Sequence, residues 1–209
     1  MRSDATENIL QRAFIPLDAN GSAASFSPPD MAHIGNIGLL EEPLTALFCS
    51  QKCPGDVILK LYDVARAMRD ARVPVIGGFQ SPMEKECLRL LLRGSQPIVV
   101  CPARGIENMR IPREWREPLD QGQLLILSPF PSTLRRPTTA SAAQRNELVA
   151  SIASRVLIAH AAPNSKTKTF ARLLAESGKP LLTLDSTTNG NLVELGAMEI
   201  RPEEVCVYL

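Results

Sequence analysis

A chain of 209 residues, 44% of them hydrophobic but only 4% aromatic, can bury one sizeable core, and that core must be aliphatic. The formal net charge of +1 excludes a protein held on nucleic acid by an overall basic surface, so any anion site must be local. No run approaches the roughly 18 apolar residues of a membrane helix, and no N-terminal stretch has a signal-peptide core. The five cysteines, at 49, 53, 87, 101 and 206, are an odd number with no paired framework, so a cytoplasmic protein with reduced thiols and no membrane partner is expected.

Residues 1–35 read as a partly irregular N-terminal extension, with a short helix over 5–14 and then a small, polar, proline-containing loop from Asp18 to Asp30. Residues 36–209 read as one domain. Strands are predicted at Leu44–Cys49, Val73–Ile76, Pro97–Cys101, Leu124–Leu127, Arg155–Ala159 and Pro180–Leu184, all without polar alternation and therefore buried on both faces. Helices are predicted between them. Asp56–Ala71 carries Val57, Leu61, Val64 and Met68 at helical spacing, and Pro82–Arg93 starts behind Ser81 as cap with Glu84 following. Ala140–Ala153 follows the fourth strand, and Thr167–Ser177 stops at Gly178. Strand and helix alternating in this way imply right-handed crossovers and a mostly parallel sheet, an α/β Rossmann-like three-layer sandwich.

In such a sheet the loops leaving the strands' carboxyl ends gather on one edge with the N-termini of the following helices, an arrangement suited to phosphate. The loops Ser50–Asp56, Pro102–Arg110, Ser128–Arg136 and Ala161–Lys168 hold Lys52, Arg104, Arg110, Arg135, Arg136, Lys166 and Lys168 against Asp56 and Glu107. Lysine and arginine also populate loops merely because loops are solvated, so it is the fold rule that turns this charge pattern into an expected anion site.

Individual motifs add little chemistry. Cys49-Ser-Gln-Lys-Cys-Pro-Gly55 is neither a dinucleotide fingerprint nor a P-loop, although Ser50 could donate to a phosphate beside Gln51 and Lys52. Cys49 and Cys53 lack a second ligand pair for zinc. Gly77 and Gly78 would let the backbone approach a ligand closely. Glu84 could reach a ribose hydroxyl, but it does not face Glu86 as a paired acid and base. His160, at the end of the fifth strand, is either a polar ligand contact or a strand cap. No Ser-His-Asp or Cys-His arrangement can be assembled. No catalytic residue, metal or cofactor is assigned.

The second half carries a resemblance. Arg145-Asn146, Val156-Leu-Ile-Ala-His-Ala-Ala-Pro-Asn-Ser165, Ala171-Arg-Leu-Leu-Ala-Glu-Ser-Gly-Lys179 and Asn189-Gly-Asn-Leu-Val-Glu-Leu-Gly-Ala197 resemble the Rossmann domain of the DNA-processing protein A (DprA/Smf) family. Earlier elements fit in order but loosely, so the likeness spans about residues 36–197. It implies single-stranded DNA binding, self-association as a homodimer, and work beside a RecA-type recombinase in transformation. Gly78, Arg145, Asn146, Ser165, Asn191 and Gly196 match the family pattern. Gln51 and Ser81 replace arginines, Glu84 replaces an aspartate, His160 a glutamate and Lys166 a glycine. Lysine is a poorer planar phosphate binder than arginine, so Lys52, Lys166 and Lys168 substitute only in part. The stretch after Ala197 is too short for the family's winged-helix domain, and a divergent stand-alone core is expected.

The leading expectation is a non-enzymatic protein binding single-stranded DNA, or another phosphorylated ligand, at the carboxyl edge. A small-molecule nucleotide sensor is one alternative. A nucleoside-phosphate hydrolase of the related LOG type, with Glu84 as acid/base, is another, but its Pro-Gly-Gly-x-Gly-Thr loop is missing.

Overall fold

The computed structural model describes residues 31–209, so the helix expected over 5–14 and the loop Asp18–Asp30 lie outside the described residues. Seven parallel strands and one antiparallel edge strand form a single eight-stranded sheet in the order β1-β5-β4-β3-β2-β6-β7-β8. The strands are β1 (Ala32–Gly35), β2 (Thr45–Phe48), β3 (Val75–Gly77), β4 (Ile98–Val100), β5 (Leu124–Ser128), β6 (Arg155–Ile158), β7 (Leu181–Leu184) and β8 (Met198–Ile200). The helices are α1 (Gly55–Asp70), α2 (Pro82–Leu91), α3 (Arg113–Asp120), α4 (Thr139–Ile152), α5 (Lys166–Glu176), α6 (Gly190–Val193) and α7 (Val205–Tyr208).

All six predicted strands and all four predicted helices are present, with ends shifted by one or two residues. Two strands have no predicted counterpart. One is β8. The other is β1, whose Ala32, His33, Ile34 and Gly35 pair antiparallel with Ser128, Leu127, Ile126 and Leu125 of β5.

The uninterrupted aliphatic runs have the predicted consequence: β2, β5 and β7 are buried at every position. Alternate side chains of β2 point into two separate cores. Ala46 and Phe48 face one, with Leu148 and Val149 of α4 and Ala171 and Leu174 of α5. Leu47 faces the other, with Val57, Leu61, Val64 and Met68 of α1 and Met83, Cys87, Leu88 and Leu91 of α2. This is the expected three-layer sandwich. Among the described residues, no helix is long and apolar enough to cross a membrane.

Strand order reverses between β2 and β6, which pair in register from Thr45–Arg155 to Phe48–Ile158. Chain connections leave in opposite directions from this point, which is where open α/β sheets commonly place a ligand at the carboxyl edge.

Candidate nucleic-acid interface

The carboxyl edge is built in two parts. The first lies at the reversal point, where backbone and side-chain bonds fasten the exits of β2 and β6 together. The Ser50 N–H donates to the His160 carbonyl (3.0 Å), and Ser50 Oγ accepts from the Ala162 N–H (3.3 Å). His160, 3% exposed, is held through Nδ1 by Asn189 Oδ1 at 2.9 Å. Asn189 Nδ2 donates to the Ala159 and Leu184 carbonyls, which leaves Oδ1 as the acceptor and makes Nδ1 the protonated nitrogen of His160. Asn191 Nδ2 donates to the Ala161 carbonyl (2.8 Å), while its buried Oδ1 has no partner among the described residues. Ser165 caps α5 by accepting from the Lys168 N–H. Gln51, Lys52 and Lys166 project from this part as exposed side chains.

Asp56, in the first turn of α1, accepts from Ser186 Oγ at 2.6 Å and so ties α1 to the β7 exit. That hydrogen bond holds its carboxyl below the ordinary value of 3.8. A depressed carboxyl contributes stability that is complete above its unfolded value and is lost as pH falls through the lower folded value. Thermal melts of the Asp56→Asn variant are therefore expected to show less of the wild-type decline in midpoint between about pH 4 and pH 2. Parallel curves for the two proteins would remove this assignment.

The second part lies over β3, β4 and β5 and rests on two buried ionic side chains. Ser81 and Glu84 form the predicted capping box at the start of α2. Glu84 does more than cap. Its Oε1 accepts from the Cys49 N–H (2.9 Å), and its Oε2 accepts from the N–H groups of Gln80 (2.8 Å) and Ser81 (3.3 Å). The carboxylate thus joins the β2 exit to the β3 exit. Glu84→Gln would turn a donor toward at least one of these N–H groups, and a loss of about 1–3 kcal/mol in urea unfolding is expected. An unchanged unfolding midpoint would contradict the bridging role.

Arg145 of α4 is 3% exposed and passes beneath Gly78. Its Nη1 donates to the Cys101 carbonyl (3.0 Å), Nη2 to Gln80 Oε1 (2.9 Å) and Nε to Asn146 Oδ1 (2.8 Å). Burial lowers its pKa, while the nearby Glu84 charge acts in the opposite sense. Gly77 lies next to Gly78 at the end of β3, against the Phe79 ring.

On this base the β4 exit loop is fixed from two sides. Ser128 Oγ donates to the Arg104 carbonyl (2.7 Å), Ser141 Oγ donates to the Ala103 carbonyl (2.9 Å), and the Gly105 N–H donates to the Leu134 carbonyl (2.9 Å). A Cβ on Gly105 would lie 2.4 Å from the Pro131 carbonyl oxygen, so the β4 and β5 exits meet backbone to backbone. Two adjoining clefts result. The one between α2 and α3, of about 350 Å³, has Phe79 and Trp115 in its wall with Lys85, Arg89, Arg104 and Arg110 around them and Glu114 as its acid. The other, of about 520 Å³, shares Arg104 and adds Arg135 and Glu107. Arg89 pairs with Glu86. The side chains of Lys85, Arg104, Arg110 and Arg135 have no partner among the described residues.

Of the residues singled out from sequence, Gly78 and Arg104 line the α2–α3 cleft. Ser81, Glu84, Arg145 and Asn146 form the framework under it, and Ser50, His160, Ser165 and Asn191 knit the reversal point. Lys85, Arg89 and Trp115 were not anticipated. The helical spacing of α2 could have placed Lys85 and Arg89 together on one face, but no sequence signal placed Trp115 opposite them.

Parallel strands with helices on both faces, and a carboxyl edge reversing between β2 and β6, define an open α/β domain of Rossmann type. The chain belongs to the DNA recombination-mediator protein A family, whose model matches residues 20–203. Its fold is shared with DNA processing protein A from Helicobacter pylori, at 19% identity and a TM-score of 0.70 over 88% of this chain and 87% of that one. It is shared equally with the Streptococcus pneumoniae protein, at 16% identity and TM-score 0.70, covering 86% of this chain but just under two thirds, 66%, of that one. The molybdenum cofactor binding protein of Rippkaea orientalis is more distant, at 11% identity and TM-score 0.52 over 79% of this chain and 93% of that one. No curated protein matches the sequence significantly.

Proposed function

We propose that this protein binds single-stranded DNA along the carboxyl edge of its sheet, as a binding rather than a catalytic protein. Bases would stack in the α2–α3 cleft against Trp115, and phosphates would lie on Lys85, Arg104, Arg110 and Arg135. The strand would continue over the reversal point toward Gln51, Lys52 and Lys166. The observation that carries this reading is a single cleft in which an aromatic face stands among cations, of which Lys85, Arg104 and Arg110 have no side-chain partner among the described residues, the pairing that single-strand binding uses. Family membership supports it. The Helicobacter pylori relative is a single-stranded DNA-binding protein, which supports it as well. Glu84 speaks against hydrolysis, because both its oxygens are taken up by backbone N–H groups.

The test is fluorescence anisotropy with a labelled oligothymidylate across a salt series. Binding is expected to weaken with salt at a slope of about −0.7 for each phosphate contacted. Folded protein that fails to bind at low salt would end the proposal. Thermal stabilisation by a mononucleotide without oligonucleotide binding would select the sensor reading instead. Assembly as a homodimer and action beside a RecA-type recombinase rest on the family resemblance, and a cytoplasmic location rests on the odd set of cysteines with no paired framework. Light scattering of the purified protein tests the dimer.

A further inference from the structure

The wall of the α2–α3 cleft includes Gln80, a residue held at both its backbone and its side chain. Its N–H donates to Glu84 Oε2 (2.8 Å), and its Oε1 accepts from Arg145 Nη2 (2.9 Å). Arginine offers donors only, so the oxygen of the Gln80 amide must be the atom turned toward it, and chemistry settles which way the amide lies. Arg145 is itself held in place. Its Nη1 donates to the Cys101 carbonyl, its Nε donates to Asn146 Oδ1, and Gly78 covers it. Phe79, one residue before Gln80, has a φ of 46°. Bulky residues rarely adopt this left-handed conformation, and strain of this kind clusters where proteins contact ligands.

The atom left over is Nε2. It has no partner among the described residues and is not sealed from solvent. Gln80 is half-buried and its oxygen is turned to the buried guanidinium, so the other end of the amide faces the cleft with two N–H groups. The bond from a charged donor polarises the amide and makes Nε2 a better donor in turn.

A glutamine free at both ends of its amide pairs with adenine, its oxygen accepting from the base amine while its nitrogen donates to a ring nitrogen. Here the oxygen is committed to Arg145, so that pairing is denied. The amide can only donate, and the base edge that suits it is a carbonyl oxygen. Thymine carries a carbonyl on each side of its ring N–H, so a thymine stacked on Trp115 meets the amide in either orientation. Guanine and cytosine carry one each. At about 350 Å³ the cleft lies at the small end of ligand pockets, roughly 300–1,000 Å³, which suits one base with its sugar.

We propose that Gln80 determines base preference in the α2–α3 cleft, donating from Nε2 to a carbonyl oxygen of one stacked base and so selecting thymine over adenine. This rests on the DNA-binding reading above and adds a base preference to it.

The test is anisotropy at one low salt concentration with full-length protein and three short labelled strands. These are oligothymidylate, oligoadenylate, and a strand in which difluorotoluene, which has thymine's shape without its carbonyls, replaces every thymine. Wild-type protein is expected to bind oligothymidylate roughly threefold to tenfold more tightly than the difluorotoluene strand, the effect of one hydrogen bond. Gln80→Glu keeps an oxygen for Arg145 but presents an acceptor to the cleft in place of the N–H groups. Its added charge is expected to weaken every strand, while the ratio of thymine to adenine affinity falls by roughly threefold to tenfold. The self-stacking of oligoadenylate is common to both proteins, so it cancels from the change in ratio. Equal wild-type affinity for the thymine and difluorotoluene strands would overturn the proposal, and this comparison decides even if Gln80→Glu fails to fold. So would a folded Gln80→Glu that weakens oligothymidylate and oligoadenylate by the same factor. Wild-type protein that binds no strand would remove the DNA-binding reading and the base preference together, whereas binding without preference would remove the preference alone.

Discussion

Replacing Gly78 by alanine is expected to destabilise the protein by about 3 kcal/mol. The new Cβ would lie 1.6 Å from Arg145 Nη1 and 1.9 Å from its Cζ. No rotation of a methyl group relieves that overlap, so the guanidinium must move. Moving it breaks its bonds to the Cys101 carbonyl and Gln80 Oε1 and leaves a charge near the core without partners. The cause can be isolated by a double-mutant cycle. Arg145→Ala also costs stability, but Gly78→Ala added to Arg145→Ala is expected to cost far less than Gly78→Ala alone, because the atom it strikes is gone. Urea unfolding of the four proteins checks this. Additive losses would mean that Gly78 is needed for some reason other than the passage of Arg145.

The second large effect concerns the α2–α3 cleft and separates its two kinds of contact. Trp115→Ala is expected to weaken oligothymidylate binding by about 1–3 kcal/mol, roughly fivefold to a hundredfold, with no change in salt slope, because stacking releases no counterion. Arg104→Ala is expected to reduce the salt slope by about 0.7, the signature of one lost phosphate contact. Arg104 is the lining residue common to both clefts that carries a charge, so its loss should be felt by a strand crossing either. Both substitutions leave the buried framework of Glu84 and Arg145 in place; the unfolding midpoint of Arg104→Ala should stay near wild type, whereas Trp115→Ala also removes packing against the core and should lower it, so binding is compared at temperatures where both variants are folded. A Trp115 effect that vanished, or one that scaled with salt, would contradict stacking.

The framework was far more legible than the site. Six strands could be read because each is an aliphatic run with no polar alternation, which a doubly covered parallel sheet demands. The α2 start could be read because Ser81 and Glu84 sit at the spacing of a capping box. The antiparallel strand β1 could not, since Ala-His-Ile-Gly has no strand signal of its own and is extended only because β5 offers it an edge. Likewise α3 was hidden. Arg-Glu-Trp-Arg-Glu-Pro-Leu-Asp is mostly polar and carries Pro118 inside the helix, so it reads as loop.

That omission mattered for the site, because Trp115 lies on α3. The expectation that scattered cations meet at the carboxyl edge located Arg104, Arg110 and Arg135 by topology alone. It could not tell which charged residues would turn inward. Arg145 was expected to meet a ligand, whereas the structure places it under Gly78 with three of its donors satisfied inside the protein. Side-chain burial of this kind depends on what packs over a residue from distant parts of the chain, and local sequence does not encode it.

Photocrosslinking tests the central claim most directly. An oligonucleotide carrying 5-iododeoxyuridine, bound at low salt and irradiated, should attach to the aromatic residues of the cleft, with Trp115 as the main site and Phe79 next. The attachment should be competed away by unlabelled oligothymidylate and by raised salt. Crosslinks confined to the opposite, amino-terminal edge of the sheet, in protein shown by anisotropy to hold the same oligonucleotide, would contradict the assignment of this edge as the DNA-binding surface.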